Sequence, residues 1–199
     1  PNVGKSSITN RFAGKNRSIV SDVAGTTRDA LDVVVEREGK RYRLVDTAGM
    51  RKRNLVHEDV EYYSLVRGLR AIDEADVCLL VVDASEGVTE QDQKVAGLAI
   101  ERGCALVILL NKWDLVRTDE KREDVMMSVA RRMTFAPWAP VIRVSALTGR
   151  SLDKVWAVVD RVGAAHAGKI STNALNNLLA SMRESGHTVT KGAKRLRIQ

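Results

Sequence analysis

The sequence predicts an α/β domain built on a mostly parallel sheet with helices on both faces. Three observations lead there. Apolar runs of strand length alternate with stretches of helical spacing along the chain, the pattern of strands joined by crossover helices. The 199 residues suffice for one domain of about 150 residues with a short remainder, and not for two full-sized ones. Hydrophobic residues make up 44% and charged residues 29%, a globular balance that argues against a disordered or fibrous chain.

The elements follow in order. A helix should run through Ile8–Phe12, directly after Gly4-Lys5-Ser6. Strands are expected at Leu31–Val35 and Arg41–Val45; the Glu38-Gly39-Lys40 turn between them predicts an antiparallel hairpin at one edge of the sheet. Three further strands are expected at Val77–Val82, Ala105–Leu110 and Val141–Val144, separated by helices and so paired mainly in parallel. Apolar spacing predicts helices at Val60–Ile72, Glu90–Glu101, Arg122–Met133 and Ser151–Val162. In the remainder, Thr172 should cap a helix with Ala174, Leu175, Leu178, Leu179 and Met182 on one face, and Lys194–Ile198 begins to look like a strand.

Several function classes are disfavoured. No apolar run approaches the roughly 20 residues of a bilayer span, and no cationic leader opens the chain. Cys78 and Cys104 lie inside apolar runs and read as reduced core thiols of a cytoplasmic protein. No CxxC or HExxH pattern occurs, and His57, His166 and His187 are far apart, so a zinc site is not supported. The net charge is +7, of which His166–Gln199 carries +5 through Lys169, Arg183, Lys191, Lys194, Arg195 and Arg197 against Glu184. A basic tail on a nearly neutral body suggests a polyanionic partner, nucleic acid first, or else a solubilising terminus.

In a sheet of this kind ligands sit at the carboxyl ends of the strands, and four motifs fall there. Asn2, Val3, Gly4, Lys5, Ser6 and Ser7 close a phosphate-loop pattern: backbone N–H groups cradle phosphate, Lys5 neutralises it and Ser6 ligates magnesium. The first glycine of that pattern would fall before Pro1, so alone it is a weak signal. Asp46, Thr47, Ala48, Gly49 and Met50 follow an apolar strand; Asp46 would hold magnesium and the Gly49 amide would contact a terminal phosphate. Asn111, Lys112 and Asp114 form the most specific signal. The Asp114 carboxylate can accept two hydrogen bonds from guanine that adenine lacks, Asn111 would brace neighbouring loops, and the Lys112 stem would pack on the base face. Ser145, Ala146 and Leu147 could present N–H groups to the base oxygen.

PNVGKSS, the segment Ile19–Val33, VDTAGMRKR, Val82–Asp92, NKWDLV and SALTG together resemble the translation-factor-type GTPases, and more narrowly the second GTPase domain of the Der (EngA) family of ribosome-assembly GTPases. The resemblance implies a Ras-like P-loop NTPase domain over residues 1–165. After it, residues 166–199 would begin a partial α+β KH-like segment. It implies GTP/GDP and magnesium as cofactors, with Ser6, Asp46 and the switch threonine Thr27 as metal ligands. Lys5, Thr27 and Gly49 would serve catalysis. It further implies a potassium ion held by Asn2, Thr26 and the loop carbonyls around Ser21 and Val23. Met50 stands where Ras-like GTPases carry a water-orienting glutamine, so slow intrinsic hydrolysis, stimulated by potassium, is expected. Arg51-Lys52-Arg53 would be a solvated run or a nucleotide-gated RNA contact.

The implied partners are the large ribosomal subunit or its rRNA and an upstream first GTPase domain in the same chain, in a cytoplasmic monomer with no membrane contact. The absent first strand and first glycine suggest an internal piece of a longer protein. An MnmE-like tRNA-modification GTPase, or a non-catalytic guanine-nucleotide-regulated RNA-binding module, are the alternatives.

Overall fold

A computed structural model describes residues 3–15, 33–45, 71–185, 190–191 and 194–195. The chain divides into two units, Pro1–His166 and Ala167–Gln199. In the first unit, α1 spans Lys5–Lys15, β1 Val33–Arg37, β2 Lys40–Leu44, β3 Val77–Asp83, α2 Glu90–Glu101, β4 Ala105–Asn111, α3 Asp119–Arg132, β5 Val141–Arg143 and α4 Leu152–Ala167. A 3-10 turn covers Trp113–Leu115. The second unit holds α5, Thr172–Glu184, then β6, Thr190–Lys191, and β7, Lys194–Arg195.

β4 is the axis of the sheet. It pairs in parallel with β3 on one side and β5 on the other, with Asp83 opposite Asn111 at the carboxyl ends. Alternate β4 side chains serve opposite faces, as the period of two requires. Leu106, Ile108 and Leu110 join Ala96 of α2 and Val125 and Val129 of α3 in one core cluster. Val107 and Leu109 join Ile8 and Phe12 of α1, Val35 of β1, and Val155 and Trp156 of α4 in the other. Both faces are therefore covered by helices, the predicted fold class.

Local chemistry sets the boundaries. α2 begins where Thr89 and Asp92 form a reciprocal capping box. α3 starts three residues earlier than apolar spacing suggests, because the Thr118 side chain accepts from the Lys121 N–H and the acidic first turn suits the helix dipole. α4 runs on to Ala167, beyond the predicted Val162. Of the predicted helix Val60–Ile72 only its last residues, within the helical stretch 71–73, are described.

Two expectations need correction. β1 and β2 form the predicted antiparallel hairpin, but among the described residues it is a two-stranded sheet of its own rather than an edge of the three-stranded one. It packs through Val35, fully buried, onto the α1–α4 side. α5 is capped by Ser171, not Thr172: the Ser171 hydroxyl accepts from the Ala174 N–H at 3.2 Å, and Thr172 is the first helical residue. The strand expected at Lys194–Ile198 is present as Lys194–Arg195 paired with Thr190–Lys191, and residues 196–198 lie outside the described residues.

Cys78 and Cys104 are free thiols, and burial pushes the Cys78 thiol up to about 12. Among the described residues no helix is long and apolar enough to cross a membrane.

Candidate functional site

The carboxyl ends of β3, β4 and β5 are stitched into one rim. The Ala84 N–H donates to the Asn111 carbonyl at 2.8 Å, and the Trp113 N–H to the Val144 carbonyl at 3.1 Å. Each strand thus passes its exit geometry to the next, and the loops leaving them start from fixed points.

Asn111 is the keystone of this rim. Only 1% exposed, it donates from Nδ2 to the Val3 carbonyl at 2.8 Å and accepts at Oδ1 from the Ala146 N–H at 2.9 Å. One amide therefore joins the loop before α1 to the loop after β5. The approach is so close that a Cβ on Gly4 would collide with the Asn111 amide nitrogen, and Gly4 holds φ at +93°. Only glycine combines that backbone angle with that contact.

From Gly4 the chain turns directly into α1, with the Ile8 N–H donating to the Gly4 carbonyl at 3.0 Å. No acidic residue occupies the first turn, so the unpaired N–H groups and dipole of this end remain suited to an anion. Lys5 and Ser7 are exposed and Ser6 half-buried.

On the far side of β4, Lys112 adopts a left-handed backbone, φ 60°, which lets the chain reverse into the 3-10 turn carrying Asp114. Trp113 is buried beneath this turn, with the Arg143 guanidinium 5.0 Å from its ring centroid. The Asp114 Oδ1 is buried and has no hydrogen-bond partner among the described residues. A carboxylate oxygen in that condition is costly unless a ligand donates to it.

The loop after β5 is equally constrained. Ser145 is fully buried; its hydroxyl accepts from the Thr148 N–H at 3.1 Å. Arg11 of α1 donates from Nε to the Ala146 carbonyl at 3.0 Å and from Nη2 to the Leu147 carbonyl. Leu147 itself is exposed. The loops holding Val3–Ser7, Asn111–Asp114 and Ser145–Leu147 are thus brought together. Asn2, Ser21, Val23, Thr26, Thr27, Asp46, Thr47, Ala48, Gly49, Met50 and Arg51–Arg53 lie outside the described residues.

Two contributors escaped sequence reasoning. Arg11 lies seven residues beyond Gly4, two helical turns on, and that spacing is the only signal it carries. Asp83 ends β3, and its Oδ2 meets the Lys112 ammonium at 2.5 Å. An acid closing an otherwise apolar strand beside Asn111 was the available clue. Burial works to raise the Asp83 pKa, but hydrogen bonds from Lys112 and Ser85 outweigh it and hold the carboxyl below the usual range.

Residues 1–112 match the profile of a family described as 50S ribosome-binding GTPase. The chain is 52% identical, over its whole length, to GTPase Der of Heliobacterium modesticaldum, of which it covers 45%. It is 45% identical, again over its whole length, to GTPase Der of Acetivibrio thermocellus, also covering 45% of that protein. It spans about half the length of the curated relatives it matches. Among solved structures, Era in complex with MgGDPNP and nucleotides 1506–1542 of 16S ribosomal RNA superposes with a TM-score of 0.61 at 24% identity, over 81% of this chain and 53% of that one. SelB of Methanococcus maripaludis with a GTP analogue gives 0.60 at 19%, over 85% and 33%. At these identities the likeness is one of fold.

Proposed function

The chain belongs to the 50S ribosome-binding GTPase family, and from that premise we propose that it binds guanine nucleotides, hydrolyses GTP to GDP and phosphate, and acts as a switch in large ribosomal subunit assembly. The observation that carries the nucleotide part is the buried Asp114 Oδ1, which no described residue partners. Guanine N1–H and its exocyclic amine form a pair of donors that a carboxylate can accept together. Adenine has no such pair, and leaving that oxygen unsatisfied rejects it.

The chain's own residues do the positioning. The Gly4–Lys5 turn offers backbone N–H groups to the phosphates, and Lys5 neutralises their charge. Asn111 keeps that turn in register with the Ser145–Leu147 loop, whose Ala146 N–H it accepts at its own Oδ1. Hydrolysis needs little covalent chemistry from the protein beyond such orientation and charge stabilisation.

The oxygen donors Ser6, Thr27 and Asp46 suit a hard cation, and they are the residues proposed to hold magnesium. When bound, it neutralises charge on the phosphate oxygens. Potassium, held by Asn2, Thr26 and the carbonyls of Ser21 and Val23, is proposed as a stimulator, since Met50 has no group that could orient water. Lys5, Thr27 and Gly49 are proposed to serve catalysis. The large-subunit partner is supported by the family, and an upstream GTPase domain by the 45% coverage of relatives.

The test compares binding of GTP, ATP and XTP with and without Asp114→Asn. Xanthine replaces the exocyclic amine with an oxygen, which an Asn amide can donate to. The variant should lose GTP affinity by roughly 100-fold or more and gain XTP. Retained guanine preference would refute the base-reading assignment, and tight GTP binding without phosphate release would refute the hydrolase. Turnover should be faster in potassium than in sodium at equal ionic strength; equal rates remove the potassium proposal.

A further inference from the structure

We propose that Asp83 is a positioning residue for base recognition, acting through Lys112; the proposal rests on the guanine-nucleotide reading above. Lys112 lies between Asn111, which ties the loops together, and Asp114, which would read the base. A lysine there would ordinarily extend its ammonium into solvent and sample many rotamers. Here it does not: Nζ is drawn back across the gap between β4 and β3 to the Asp83 Oδ2 at 2.5 Å. The stem of Lys112, the part that would lie on the face of the purine, is stretched between two fixed ends.

The anchor is itself held. Asp83 is 5% exposed, at the last residue of β3 and directly opposite Asn111 in the parallel register. Its other carboxylate oxygen accepts from both the Ser85 N–H at 2.9 Å and the Ser85 hydroxyl at 2.6 Å. Its carbonyl accepts from the Glu86 and Gly87 N–H groups. With Asp83 buried and the Lys112 side chain half-buried, the pair is weak evidence for stability, because desolvating the carboxylate offsets much of the attraction. What the pair does supply is order: a long side chain fixed before binding need not be immobilised during it. The Lys112 backbone, already in the left-handed region, is the other half of that preparation.

The experiment measures GDP and IDP affinity by calorimetry on the full chain for wild type, Asp83→Asn, Lys112→Met and the double variant. IDP lacks the exocyclic amine but keeps the purine face. Asp83→Asn should weaken both nucleotides alike, by about tenfold, the scale of immobilising one rotamer-rich side chain on binding. In the Lys112→Met background the same change should alter affinity by less than about twofold, because the route of its effect is gone. Additive losses would overturn the proposal, as would unchanged GDP affinity in Asp83→Asn. Should Asp83→Asn fail to fold, Ser85→Ala decides: a loss of at least about twofold for both nucleotides supports the proposal, and none refutes it. A wild-type chain that binds neither nucleotide would instead sink the guanine-nucleotide reading, a separate result.

Discussion

Asp83 shows how one side chain can couple charge to stability. Its carboxyl is held below the usual carboxylate range: burial pushes upward, and the Lys112 and Ser85 hydrogen bonds more than offset it. A depressed folded-state pKa means that the unfolded chain takes up the proton first as pH falls. Its stabilisation is therefore complete above the unfolded value, about 3.9, and is lost as pH drops through the lower folded value. Urea unfolding of wild type and Asp83→Asn should diverge most near neutrality and converge at acid pH; a gap independent of pH would contradict this. None of this coupling was legible in the sequence, because Asp83 and Lys112 are 29 residues apart and meet only across a strand pair. The grouping of Asn111 with the loops at Val3 and Ala146 could be anticipated, since motif order in a parallel sheet puts successive loops on the same rim. The role of Arg11 could not, because an arginine on an amphipathic helix face usually reads as solvated.

At the level of elements, the hairpin and α4 are fastened by a compact aromatic and polar group. The Trp156 ring sits between Phe12 and Tyr42, with centroids 4.7 and 4.6 Å away. The Tyr42 hydroxyl donates to Asp160 Oδ1 at 2.7 Å, and Lys40 pairs with Oδ2 at 2.5 Å. Burial, then this hydrogen bond to an anion, pushes the Tyr42 phenol up to about 12, so it stays a donor at all ordinary pH. Tyr42→Phe should lower unfolding free energy by about 1 kcal/mol, the worth of one part-buried hydrogen bond; no change in denaturant midpoint would show the contact to be idle. Elements whose caps are written in sequence were placed best: α2 runs from Glu90 to Glu101 as expected, next to its Thr89–Asp92 box. Boundaries drifted where a cap was overlooked, at Thr118 and Ser171, since apolar spacing marks where a helix packs and not where it starts.

Across the whole chain, charge and fold divide differently. Residues 167–199 hold six bases and one acid, most of the +7, while the stitched rim belongs to Pro1–His166. If the proposed large-subunit partner is met through its RNA, deleting 167–199 should leave GDP affinity within about twofold and make RNA binding less salt-sensitive. The slope of log K against log salt should shrink by roughly 3 to 4 if these cations meet single-stranded phosphates at about 0.7 each. An unchanged slope would exclude the tail from the RNA contact. The alternation of strands and helices made the layered architecture readable from sequence; the separateness of the hairpin was not, because pairing partners carry no local signature. Asn111 has one last implication. A single planar amide grips two loops with its two ends, so neither can drift without loosening the other. On the proposed reading, the distance from triphosphate seat to purine slot is then a caliper set by one side chain, and a longer or shorter ligand finds no second setting.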